Sequence, residues 1–224
     1  MKIGIIGAGH IGGTLARRLS ALGHDVSVAN SRGPDSLAAL AKETGVKVVL
    51  VHEAALGKDL VIVSIPVKAV RDLPRDLFAG DGHVVVVDTG NYYPQRDGRI
   101  AAIEDGMPES QWVSQQLGRP VVKAFNTMHA KDLMERGKGA DQSGRLAMPV
   151  AGDDANAKRV VLKLIDQLGF DGVDTGSLAE SWRQQPGTPV YGVDLSRDAA
   201  ERALASASRT RRPEFRATGS VAAG

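Results

Sequence analysis

The sequence predicts an α/β fold, a doubly wound and mainly parallel sheet with a small C-terminal α/β extension, on three observations. Short runs rich in β-branched residues alternate with stretches of helical periodicity. One run, His83–Asp88, holds four consecutive valines, as in a central strand covered on both faces. The first run passes directly into a glycine-rich turn that opens an amphipathic helix.

Element by element, Lys2–Ile6 is the first strand. Ile11, Leu15, Leu19 and Leu22 then recur at helical spacing until Gly23 ends the helix. Asp25–Asn30 is the second strand, followed by a helix that Pro34 opens and Gly45 closes. Val46–Val51, Leu60–Ser64, His83–Asp88 and Pro120–Phe125 supply the third to sixth strands. Further on, Leu146–Ala151 reads as a strand, and Asp153 as the N-cap of a helix with Val160, Val161, Leu164 and Leu168 on one face. Gly169 stops that helix and Phe170–Asp174 is the last strand. Ser177–Arg183 reads as a short helix, Gln184–Gly192 as a loop and Asp194–Ala207 as the final helix.

Composition narrows the chemistry. The 224 residues include 42% hydrophobic and 24% charged residues with a net charge of +2, so no nucleic-acid footprint is expected. The absence of cysteine excludes disulfides, a catalytic thiolate and cysteine-ligated metal. The five histidines show no ligand spacing, so no metal site is expected. No apolar run approaches the ~20 residues of a membrane span. The first strand begins at Lys2, and a cytoplasmic location is expected. Arg209, Arg211, Arg212 and Arg216 read as a solvated basic tail rather than a polyanion site.

Gly7-Ala8-Gly9-His10-Ile11-Gly12 matches the dinucleotide fingerprint, and its place between strand and helix is where that chemistry needs it. Gly7 permits the tight turn, Gly9 lets backbone approach a pyrophosphate, and Gly12 lets helix and strand pack closely. The helix start offers unpaired N–H groups and the positive dipole end to the phosphates. His10 and Ile11 belong to the same loop. At the end of the second strand, an NAD enzyme usually places an acidic residue for the ribose hydroxyls. Here Asn30-Ser31-Arg32 stands instead, a hydroxyl and a guanidinium suited to a 2′-phosphate, so NADP(H) is expected. A solvated Arg32, or one stacked on adenine, is the alternative.

The other strand ends lie at the same carboxyl edge. Ser64-Ile65-Pro66 follows the fourth strand, Thr89 and Asn91 the fifth, and Asn126 and His129 the sixth. Together they describe a nicotinamide crevice, although each residue alone suits a turn or cap equally well. Asn126 is the candidate for orienting a ligand through its amide, and His129 for donating a proton. The expected division is residues 1–128 as the Rossmann dinucleotide-binding core, 129–207 as a small α/β part completing the cleft, and 208–224 as the basic tail.

These segments together resemble the coenzyme F420-dependent NADP oxidoreductase family, from Met1 to about Leu178. The resemblance is carried by the glycine fingerprint, Asn30-Ser31-Arg32, Ser64-Ile65-Pro66, Asp88–Asn91, Val122-Lys123-Ala124-Phe125-Asn126-Thr127 and Val150-Ala151-Gly152-Asp153-Asp154. It implies that Ser31 and Arg32 hold the 2′-phosphate of NADP, that F420 or a flavin stacks over the nicotinamide, and that the protein is a homodimer. The stretch Glu180–Gly187 departs from the characterised deazaflavin reductases.

The expected function is therefore hydride transfer between NADPH and a small planar acceptor, a reaction needing no nucleophile or metal. Two alternatives stand beside it. One is reduction of a small carbonyl or imine, as in β-hydroxyacid dehydrogenases and pyrroline-carboxylate reductases. The other is a non-enzymatic NADP sensor that uses Trp182 and Tyr191 as an interface.

Overall fold

In the computed structural model, which describes residues 1–80 and 82–217, strand and helix alternate from the start. The order is β1 (Lys2–Ile6), α1 (His10–Ala21), β2 (Asp25–Ala29), α2 (Ala38–Thr44), β3 (Lys47–Val48), α3 (Val51–Ala55), β4 (Leu60–Val63) and β5 (Val85–Asp88). Three short helices follow, α4 (Pro94–Asp97), α5 (Ala101–Glu104) and α6 (Glu109–Leu117). The chain then runs through β6 (Val122–Lys123), α7 (Ala130–Glu135), β7 (Ala147–Val150), α8 (Ala155–Gln167), β8 (Asp171–Asp174) and α9 (Arg197–Ala205). A 3-10 segment, Leu178–Gln184, lies between β8 and α9.

The first six strands form one parallel sheet in the order β3-β2-β1-β4-β5-β6. The order reverses between β1 and β4, the switch point outside which open α/β sheets bind ligands. This is the Rossmann arrangement expected from the sequence. The central strands β1, β4 and β5 are apolar on both faces because helices cover both sides. Leu15 and Leu19 of α1 are wholly buried, each burial contributing roughly 1.5–3 kcal/mol.

The smaller sheet, β7 parallel to β8, joins the first through an antiparallel bridge between Lys123 and Ala151. Lys123 N donates to Ala151 O at 2.8 Å, and Ala151 N returns the bond at 3.1 Å. Leu133, Leu146, Met148, Val150 and Phe170 belong to the same buried cluster as Ile3, Leu15 and Val87.

Several boundaries differ from expectation, each for a local reason. The run Val46–Val51 is a two-residue strand, because the chain turns at Leu50 into α3, where the Glu53 carboxylate accepts from Leu50 N at 2.8 Å. α3 then lies so close to β1 that a Cβ at Gly4 would fall 1.6 Å from Ala54 O. β5 and β6 are shorter than their apolar runs, since pairing ends where the neighbouring strand ends. Asp154, not Asp153, caps α8, accepting from Asn156 N at 2.7 Å and Ala157 N at 3.1 Å. Asp153 instead accepts from Leu178 N at 2.9 Å and anchors the 3-10 segment.

The C-terminal stretch also departs from a solvated tail. Arg211 donates to the fully buried Glu109 at 2.7 Å and lies 5.2 Å from the Tyr92 ring, while Phe215 packs on Tyr93 at 6.3 Å. Residues 208–217 are therefore docked on α4–α6, and 218–224 lie outside the described residues. No helix among the described residues is long and apolar enough to cross a membrane.

Candidate functional site

The glycine turn after β1 is built by close approach. Gly7 has φ +105°, and a Cβ there would fall 2.2 Å from Ser64 O. A Cβ on Gly12 would fall 1.9 Å from Gly7 O, so at this turn the start of α1 and the ends of β1 and β4 approach too closely for a side chain at either glycine. Gly9 differs: its backbone is ordinary, and no atom lies within 4 Å of where a Cβ would point. No side chain caps α1, so the amides of its first turn face that open space. The arrangement fits a pyrophosphate lying over Gly9. His10 is exposed there, and Ile11 is half-buried against the core beneath. A groove of about 570 Å³ runs from Gly9 and His10 to α7.

At the end of β2, Asn30 shapes the loop. Its Oδ1 accepts from Arg32 N at 3.0 Å and its Nδ2 donates to Ser36 Oγ at 2.8 Å. Ser36 in turn donates to Gly33 O at 2.7 Å. Ser31 and Arg32 are exposed, and the Arg32 guanidinium has no hydrogen-bond or ion-pair partner among the described residues. The structure thus separates the three residues into one that holds the turn and two that stand free to meet a ligand.

Ser64 and Ile65 are half-buried beyond β4, and exposed Pro66 leads into the 3-10 turn Val67–Asp72. Beyond β5, Thr89 is buried, its N–H donating to Val63 O at 3.1 Å. The loop Thr89–Asn91 is held from below by charges that the sequence reading did not single out. Asp88 and Lys123 form an ion pair of 3.1 Å, and Lys123 Nζ also donates to Gly90 O. Asp88 accepts from Gly90 N at 2.8 Å and from Ser110 Oγ at 2.7 Å.

The next residue, Asn91, meets Asn126 across the strand ends. Asn126 Nδ2 donates to Asn91 Oδ1 at 3.0 Å, and Asn91 Nδ2 donates to Asn126 O at 2.9 Å. Asn126 Nδ2 also reaches Gln184 O at 2.7 Å, while Gln184 Nε2 donates to Asn126 Oδ1 at 2.9 Å. The amide of Asn126, only 4% exposed, is therefore fully engaged with protein, not left open for a ligand. Phe125, just before it, has φ +62°, a left-handed conformation unusual for a non-glycine residue. That turn in the backbone brings Asn126 to Gln184.

Gln184 is the functional-region residue with the weakest sequence signal. It stands in the stretch that departs from the family pattern, wholly buried, and also donates to Pro149 O at 3.2 Å. Tyr191, from the loop after it, bonds to the Tyr93 hydroxyl and lies 3.3 Å from Asn91 Nδ2. Burial, with the Tyr93 hydroxyl second, pushes the Tyr191 phenol well above its ordinary value, so it is neutral. His129 is exposed at the start of α7, its ring 3.8 Å from the position a Cβ on Gly192 would take.

With this geometry in view, the likeness to known proteins is informative. The model of the family "NADP oxidoreductase coenzyme F420-dependent" matches residues 2–92. A hypothetical protein from Sinorhizobium meliloti is 34% identical, with a TM-score of 0.76 over 87% of this chain and 95% of its own. A structure described as a candidate F420-dependent NADP reductase from Arthrobacter sp. FB24 is 26% identical, with a TM-score of 0.66 over 80% of this chain and 86% of that one. Rat metalloreductase STEAP3 is 28% identical over 183 residues, 80% of this chain. The matches span little of the curated relatives' own lengths, 35% of STEAP3 and 37% of YjhV from Escherichia coli (strain K12). A glycine turn open over Gly9, the six-strand order reversing beside it, and near-complete overlap with these structures have one reading: the chain belongs to the F420-dependent NADP oxidoreductase family of dinucleotide-dependent oxidoreductases.

Proposed function

We propose that the protein is an NADP(H)-dependent oxidoreductase that passes hydride between NADPH and a planar acceptor of the deazaflavin F420 or flavin type. The observation that carries the cofactor choice is the unpaired Arg32 guanidinium beside Ser31, at a strand end without the carboxylate that would repel a 2′-phosphate. Bound NADPH supplies the hydride; the chain supplies position. Gly7, Gly9, His10, Ile11 and Gly12 cradle the pyrophosphate, and Ser31 and Arg32 hold the 2′-phosphate. Ser64, Ile65, Pro66, Thr89 and Asn91 line the nicotinamide end. Asn126 acts by holding Asn91 in place, and His129, exposed at the start of α7, is the candidate proton donor. The protein works as a cytoplasmic homodimer, with residues 129–207 completing the cleft.

A planar, partly apolar acceptor suits this crevice because Ser64, Ile65, Pro66, Thr89, Asn91, Asn126 and His129 include no carboxylate, and the Asp88 and Lys123 charges beneath them are paired with each other. Fluorescence titration tests the cofactor choice: NADPH should bind much more tightly than NADH. Arg32→Ala should weaken NADPH by about 1.5–3 kcal/mol and leave NADH nearly unchanged. Equal losses for both would remove Arg32 from the 2′-phosphate. A screen of NADPH oxidation tests the acceptor, with turnover expected for F420 or free flavin and none for short 2-oxoacids. Brisk turnover of oxoacids or imines, and none of flavins, would replace the acceptor class.

A further inference from the structure

The open space before α1 has a second wall, formed by α7. That helix lies along α1 and is fixed there by Arg18, which donates to Leu133 O and to Leu168 O, each at 2.6 Å. Leu133 is buried in the same cluster as Leu15 and Leu19. Toward Gly9 the two helices leave the groove of about 570 Å³, into which Lys131 of α7 projects as a lining residue.

Charge in this groove is unevenly used. Arg17 is committed to Glu43 through two bonds of 2.6 and 2.7 Å. Lys131 is exposed and has no hydrogen-bond or ion-pair partner among the described residues. The turn Gly7–Gly12 contains neither lysine nor arginine. An uncapped helix start carries roughly half a positive charge, too little to balance a pyrophosphate. A lysine on a long stem, opposite those amides and free of partners, supplies what is missing. Glu135, one turn along α7, is a carboxylate in the same groove and opposes the anion.

We propose that Lys131 is a pyrophosphate-binding residue, so that α7 closes the cofactor groove from the side opposite the glycine turn. This rests on the dinucleotide reading of Gly7–Gly12. The chemistry recognised is the diphosphate common to NADP and NAD, which separates Lys131 from Arg32. Lys131→Ala, an exposed change that leaves the core intact, should weaken NADP⁺ and NAD⁺ by the same factor, about tenfold, in direct binding titrations. Lys131→Arg should restore most of the affinity for both. Raising ionic strength should cost the wild type more affinity than Lys131→Ala, because one phosphate contact is already missing in the variant. Glu135→Gln should tighten both cofactors. Wild-type affinity in Lys131→Ala, with Arg32→Ala still selective against NADP⁺, would overturn the Lys131 assignment alone. A wild-type protein that binds neither cofactor would overturn the dinucleotide reading, and this inference with it.

Discussion

Asp88 and Lys123 are ion-paired at 3.1 Å between the ends of β5 and β6, with only 2% and 1% of their side chains exposed. A buried pair of this kind is costly to break from one side, since the remaining charge keeps its desolvation penalty. Lys123→Met is expected to lose about 3–5 kcal/mol of stability, read from the denaturant midpoint. The double variant Lys123→Met/Asp88→Leu should recover part of that loss. A double variant no more stable than the single would mean that packing, not charge, dominates there.

The second and third glycines of the fingerprint should respond in opposite ways. The Cβ of Gly9→Val points into open space, so the variant should keep its melting temperature while losing both cofactors. Gly12→Ala drives a methyl to 1.9 Å from Gly7 O and should cost stability before binding is considered. A folded Gly9→Val that binds NADPH at wild-type strength would make the turn purely structural.

The docked C-terminal stretch makes stability depend on pH. Burial raises the Glu109 carboxyl above its ordinary value near 4.5, against the opposing pull of Arg211 and Lys123. Between the unfolded value and the raised folded one, the folded protein binds more protons, so stability falls as pH rises through that window. Arg211→Ala removes the nearest cation and should widen the window. The variant is expected to lie close to wild type near pH 4 and about 3–5 kcal/mol below it at neutral pH, by denaturation at several pH values. A loss that is constant across pH would place the effect in the packing of Arg211 on Tyr92.

Asn126→Ala removes three hydrogen bonds that hold Asn91 and Gln184 together. Turnover with the acceptor should fall while the NADPH dissociation constant stays within a factor of about two. Equal losses in both would move Asn126 from positioning to cofactor binding.

The sheet was legible because its signals are local. Four valines in a row, a strand running into glycines and a helix stopped by Gly23 each carry their own cause. The lost boundaries, by contrast, depend on partners. Nothing inside Val46–Val51 says that α3 will press on Gly4, and Asp153 and Asp154 are equally good caps until Leu178 claims the first. At the candidate site, the residues proposed to face a ligand could be named from the strand ends, whereas those beneath could not. The Asp88–Lys123 pair left a trace, one charge closing the run of valines and the other interrupting the run Pro120–Phe125. Gln184 left none, since a glutamine in a proline-rich stretch becomes meaningful only where Phe125 turns Asn126 toward it.

The shared cluster that ties Leu133, Met148 and Phe170 to Ile3 and Leu15 limits how this protein can be taken apart. A fragment ending at residue 128 is expected to present, on one flank of its sheet, the apolar surface that these side chains cover, and to aggregate when expressed alone. The segment beyond it should likewise fail as a transplantable cassette, because its two-stranded sheet draws its inner lining from β6 and α1. Variation of acceptor in relatives of this design would then have to come by substitution in place, along the loops after β4, β5 and β6, rather than by exchange of modules.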